Sequence, residues 1–162
     1  MAYDAFLKLD NLNGEVQDSQ FEKWIEVDSF SWGVSNTTSI GSATGGAGSG
    51  KAAFQEFKIT KPTDISSAQL FLKCASGQHF QKADLYVRKA GGDASGAASS
   101  VFLKIELTDV LVSSVQFEGA IQGADRPTED VTFNFGKISY EYDAPDGEIG
   151  QFAWDLVNNT AP

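Results

Sequence analysis

"VFLKIELTDVLVSSVQFE", residues 101 to 118, decides the fold. Val101, Leu103, Ile105, Leu107, Leu111, Val115 and Phe117 share one parity. Phe102, Lys104, Glu106, Thr108, Val110, Val112, Ser114 and Gln116 take the other. A period of two held this long is the mark of a strand, because successive side chains point to opposite faces of the sheet. The second face mixes apolar and polar groups, which suits cover by a neighbouring subunit.

The same alternation recurs on both sides of this stretch. "KADLYVRKAGG" (82–92) sets Ala83, Leu85 and Val87 against Lys82, Asp84, Tyr86 and Arg88. "VTFNFGKISYEY" (131–142) carries Val131, Phe133 and Phe135, then changes phase at Gly136 to Ile138, Tyr140 and Tyr142, as a bulge at a glycine does. "WIEVDSFSWGVS" (24–35) changes phase once too, from Ile25 and Val27 to Phe30 and Trp32. With Phe30 and Trp32 inside, Ser29 and Ser31 face away from the core. "AFLKLD" (5–10) sets Leu7 and Leu9 against Phe6 and Lys8, and Asn13-Gly14 reads as the turn after it. "AAFQEFKIT" (52–60) alternates Phe57 and Ile59 with Lys58 and Thr60. "FAWDLVNNTAP" (152–162) adds a short strand or arm.

One helix is expected, at about residues 64–76. Pro62 closes the preceding strand, Thr63 or Asp64 caps, and Gly77 stops the helix. Ile65, Ala68, Leu72 and Ala75, with Phe71 beside them, fall at helical spacing. Residues 36–50 and 91–100 are rich in Gly, Ser, Ala and Thr and read as mobile loops, the first too long for a hairpin turn. The expected architecture is mainly β, an antiparallel barrel or sandwich of two sheets with about eight strands and one helix, in a single domain over 1–162.

Composition bounds the function. The 162 residues suffice for one real core. A net charge of −10 argues against nucleic acid, whose phosphates need clustered Lys and Arg, and against anionic membrane surfaces. No apolar run approaches the ~18 residues that span a bilayer, so membrane insertion is not expected. "MAYDAFLKLD" has no basic start, which places the chain in a cytoplasm without a signal peptide. Cys74 and His79 are the only residues of their kinds, so neither a disulfide nor a Cys/His zinc set is available. They read as a packed thiol and a loop histidine rather than a catalytic pair.

Two stretches imitate ligand loops. Gly45 to Lys51 fits the phosphate-loop pattern G-x-x-x-x-G-K, but Ala52 stands where Ser or Thr should reach magnesium, and the next residues alternate like a strand. "DAPDGE" (143–148) lacks the ligand spacing of a calcium loop and reads as a turn on Pro145, Asp146 and Gly147. No cofactor, metal or enzymatic activity is expected.

Taken in order, "FLKLDNLNGE" (6–15), "WIEVDSFSWGVS", "GSGKAAFQEFKITK" (48–61), "LKCASGQHFQKADLYVRKAGG" (72–92), "LKIELTDVLVSSV" (103–115) and "TEDVTFNFGKISYEY" (128–142) resemble the haemolysin-coregulated protein family, Hcp, the tube protein of bacterial type VI secretion. The resemblance covers most of the chain. Ala153 departs from it, standing where glycine is expected before Trp-Asp-Leu. It implies hexameric rings that stack into a tube inside a contractile sheath, tipped by a spike protein of the valine-glycine-repeat type. It implies small effector proteins as cargo, and export from the bacterial cytoplasm without a signal peptide. On that reading Ser29 and Ser31 line the channel, and Gly48, Ser49 and Lys51 belong to a ring-stacking loop. The competing reading is a monomeric β-barrel that holds a small apolar ligand.

Overall fold

The computed structural model describes residues 3–36, 52–90, 101–123 and 125–162. Ten strands and one helix run in chain order: β1 (Tyr3–Leu9), β2 (Ile25–Val27), β3 (Ser29–Ser31), β4 (Val34–Asn36), β5 (Ala52–Phe54), β6 (Phe57–Pro62), α1 (Ser67–Ser76), β7 (His79–Lys89), β8 (Val101–Glu118), β9 (Thr128–Asp143) and β10 (Ile149–Asp155). Every pairing is antiparallel. One sheet runs β2-β1-β7-β8-β9-β6-β3 with β10 also on β9, and β4 and β5 form a small second ladder.

The sheet is almost a closed barrel, and the phase change at residues 27–30 is what closes it. β2 pairs with β1 at one edge, and β3 pairs with β6 at the other. Asp28 lies between them and donates its N–H to Thr60 O at 2.8 Å. Ile25 and Val27 therefore bury on one parity, and Phe30 packs against the core on the next.

The β8–β9 hairpin is the spine, and β9 divides its other edge between two partners. Residues 128–133 pair with β6, and 137–143 pair with β10. The division falls at Gly136. There β9 passes from Phe133 and Phe135 in the core to Ile138. The facing strand turns with it, burying Ile105 and Leu107, then Val110 and Val112. Between them Asp109 sits at φ 56, a conformation in which Asp is tolerated better than bulkier residues. A Cβ on Gly136 would lie 3.3 Å from that of Asp109. The single parity read along 101–117 thus breaks at Asp109, and Val110 and Val112 belong to the core rather than the second face. A further register shift between Val112 and Ser114 is absorbed by Ser113, whose hydroxyl donates to Thr132 O at 3.1 Å.

Gly14 is needed for a reason other than its turn. The bend after β1 places Asn11 at φ 55, whereas a Cβ on Gly14 would lie 2.3 Å from Trp24 O. Phe6 is buried rather than exposed, because Phe21 stacks on it at 4.5 Å and the Arg88 guanidinium lies over both rings.

The helix begins at Ser67 and ends on Gly77 at φ 69, as a C-terminal glycine should. Asp64 accepts the Ser66 N–H at 2.9 Å, and Glu15, in the segment between β1 and β2, accepts that of Ile65 at 2.7 Å. The buried face differs from the sequence expectation. Ser66, Ser67 and Leu70 are inside, while Ile65 is 68% and Leu72 53% exposed. The reason is Lys61, fully buried below the helix. Its three ammonium protons are shared among four acceptors, Pro62 O (2.9 Å), Asp64 Oδ1 (3.0 Å), Ser67 Oγ (3.2 Å) and Glu129 Oε1 (3.3 Å). A buried cation needs such acceptors, so the helix turns its hydroxyls inward.

Candidate functional site

Strand register assembles a continuous polar face around β3. Ser29 lies opposite Thr60, Thr60 opposite Asp130, and Asp130 opposite Gln116. Two residues along, Ser31, Lys58, Thr132 and Ser114 make the second row. Between these rows run Phe30, Ile59, Val131 and Val115, which pack into the core. Directly opposed residues share a face, so all eight polar side chains lie on one outer surface. Ser29 and Ser31 are both exposed on it.

This face is small, hydroxyl-rich and electrically balanced. Thr60 donates to Asp130 Oδ1 at 2.7 Å, and Lys58 pairs with Asp130 at 3.7 Å, so its one cation and one anion offset each other. The Thr132 hydroxyl is shared with Ser113 at 2.8 Å and with Ser114. Parity alone finds Ser29 and Ser31 and does not join them to Thr60, Thr132, Ser114 and Gln116. The alternation of Lys58 and Thr60 with Ile59 is the available signal, and strand order is the missing one.

The outer face of β1, β7, β8 and β9 has a different character. One row runs Lys8, Asp84, Glu106 and Ser139, and the next Phe6, Tyr86, Lys104 and Glu141. Burial pushes the Asp84 carboxyl above its ordinary value, opposed by Lys82. Asp84 in turn raises Lys82, whose ammonium lies 3.6 Å from Asp84 and 3.4 Å from Glu106. At the edge, the hydrogen-bonded Arg88 guanidinium holds the Asp18 carboxyl below the usual carboxylate range, with contacts of 2.6 and 3.0 Å. These are structural ion pairs on a sheet surface, not an acid and a base converging on a cleft.

The remaining sequence candidates separate. Gly48, Ser49 and Lys51 lie outside the described residues. The ladder Val34–Phe54, Ser35–Ala53, Asn36–Ala52 flanks their segment, so its two ends do pair as in a hairpin. Ala52 opens a strand and not a helix, which removes the phosphate-loop context. Cys74 packs against the core, whereas His79 is exposed at the start of β7. Among the described residues, no three His, Cys, Asp or Glu side chains gather as a metal set, and no helix is long and apolar enough to cross a membrane.

The described residues thus form a nearly closed antiparallel barrel with one helix and a balanced hydroxyl face around β3, which sets the chain among β-barrel proteins. Residues 6–142 match the family model described as type VI secretion system effector, Hcp. The chain is 38% identical to protein hcp1 of Pseudomonas aeruginosa over 98% of both chains. A solved type six secretion system protein superposes with a TM-score of 0.85 at 34% identity, covering 98% of this chain and 99% of that one. Hcp1 from Salmonella typhimurium does so at 0.82 and 30% identity, covering 99% of each. The chain belongs to the Hcp family of type VI secretion proteins.

Proposed function

We propose that this chain is the tube subunit of a type VI secretion system, in which six copies close into a ring, the rings stack, and the hydroxyl face around Ser29 and Ser31 lines the channel. The observation that carries the reading is that face. Its two rows offer short hydroxyls and one internally neutralised ion pair, backed by a packed core. A channel wall of this kind leaves room for cargo and binds it weakly through many replaceable hydrogen bonds. Small effector proteins are the proposed cargo. A spike protein of the valine-glycine-repeat type and a contractile sheath are the other proposed partners, with export from the bacterial cytoplasm. Gly48, Ser49 and Lys51 belong to the same proposal as a stacking loop. The flanking β4–β5 ladder supports it by pairing the residues on either side of that segment.

The ligand-binding alternative is disfavoured by the barrel's contents. Phe57, Ile59, Val110, Val131 and Phe133 fill the interior at 0–1% exposure. Light scattering on a size-exclusion peak, with negative-stain imaging of the same peak, tests assembly. Six-membered rings with open centres are expected, and a monomer at high concentration refutes the reading. Ser31→Glu tests the channel face: cargo recovered in a pull-down should fall at least tenfold with rings intact. Unchanged recovery removes Ser31 from the channel.

A further inference from the structure

At one end of the barrel, α1, the end of β1 and the start of β7 form an open cleft of about 700 Å³ whose lining includes Lys8, Asp10, Gln69, Lys73, His79 and Phe80. Its charge is unusual for a chain of net −10. Lys8 and Lys73 make no ion pair among the described residues. Their ammonium groups instead lie over rings, Lys8 5.8 Å from the centre of Trp24 and Lys73 5.1 Å from that of Phe80. Asp10, the one acid in the lining, accepts the Lys82 backbone N–H at 2.9 Å, and the two lysines outnumber it. Beside the cleft, Leu72 lies one turn from Gln69 on the exposed side of the helix. The cleft thus offers two unpaired cations, a histidine and an apolar shoulder.

The complementary shape is at the other end of the same molecule. The β9–β10 turn is fixed by Ala144 N–H to Glu148 O (2.8 Å), Gly147 N–H to Ala144 O (3.0 Å) and Glu148 N–H to Asp146 Oδ1 (3.0 Å), with Gly147 at φ 92. It presents Asp146 and Glu148 to solvent, then Ile149 at 59% exposure. The register puts this turn beyond Leu103 and Arg88, whereas the cleft is built on His79. Along β7, Arg88 is nine steps from His79 and four from Asp84, the partner of Lys8, about 30 and 13 Å at strand rise, and β7 and β8 lie between β1 and β9, so turn and cleft of one chain do not meet. We infer that the cleft receives the acidic β9–β10 turn of a second copy, Asp146 and Glu148 against Lys8 and Lys73, Ile149 against Leu72. The contact is head-to-tail, and such a contact closes into a ring or propagates along a stack. It rests on the self-assembly proposed above and adds the surfaces that meet.

Charge reversal tests it on the full-length chain. Lys8→Glu/Lys73→Glu makes the cleft acidic. Asp146→Asn/Glu148→Lys makes the turn basic and keeps an acceptor for the Glu148-position N–H. Each variant alone should need at least tenfold more protein to assemble, by light scattering. Mixed one to one they should assemble near the wild-type concentration, because alternating copies satisfy every contact in an even-numbered ring. That recovery also shows both variants to be folded. Wild-type assembly with unaffected variants, or with no recovery on mixing, overturns this contact and leaves the tube reading standing. A wild-type chain that stays monomeric overturns both.

Discussion

Replacing Lys61 by methionine asks what the buried cation under α1 contributes. The lysine is 0% exposed, as is the Glu129 side chain, while that of Asp64 is 5% exposed. Methionine fills a similar volume, so no large cavity opens and the loss is electrostatic. Two carboxylates remain in low dielectric without their cation, and Glu129 Oε2 already has no hydrogen-bond partner. Removing one partner of a buried pair costs about 3–5 kcal/mol. With a urea dependence of about 2 kcal/mol per molar, the unfolding midpoint should fall by about 2 M. Tryptophan fluorescence tracks it, at one protomer concentration low enough to keep association out of the transition. Lys61→Met/Glu129→Leu should recover at least half the loss, since Asp64 keeps the Ser66 N–H and hydroxyl. A midpoint within about 0.5 M of wild type for the single variant, on the same conversion, refutes the reasoning.

Gly14→Ala should destabilise by about 1–3 kcal/mol in the same assay, because its methyl would meet backbone atoms of Trp24 and Ile25 at 2.3 and 2.7 Å; an unchanged midpoint removes that constraint. Asp18 has a folded-state pKa below its ordinary value, mainly through the Arg88 hydrogen bond. Its contribution is therefore present above the ordinary Asp range and lost as pH falls below it, since the unfolded chain binds the proton first. Asp18→Asn should flatten the fall in stability between about pH 5 and 3, and equal slopes in urea titrations across that window count against it.

Local signals carry much of the fold. The apolar alternation of residues 82–88 and the phase changes at Asp28 and Gly136 come from side chains that must face one core, so each is written in neighbouring residues. The break at Asp109 is hidden because Leu111 and Val115 continue the outgoing parity while Val110 and Val112 supply an apolar second face. The helix face is misread from sequence for a non-local reason. Ile65, Leu72 and Ala75 look like a core stripe until Glu129, 62 residues past Ser67, meets Lys61 and Ser67 beneath the helix. The polar surface shows the same division. Ser29 and Ser31 come from parity, whereas Thr132, Ser114 and Gln116 join them only through a strand order that no short window contains.

The passage at Asp28 also gives the barrel a mechanical character. β8 and β9 pair from Leu103 to Glu118 against Thr128 to Tyr142, so load along that hairpin is shared by many bonds at once. The hoop around the core is fastened by β2 and β3, three residues each. A chain of rungs is as strong as its shortest run, and free energy of opening takes the same order. The barrel is therefore long-seamed lengthwise and short-clasped crosswise, with the clasp at Ile25 to Ser31.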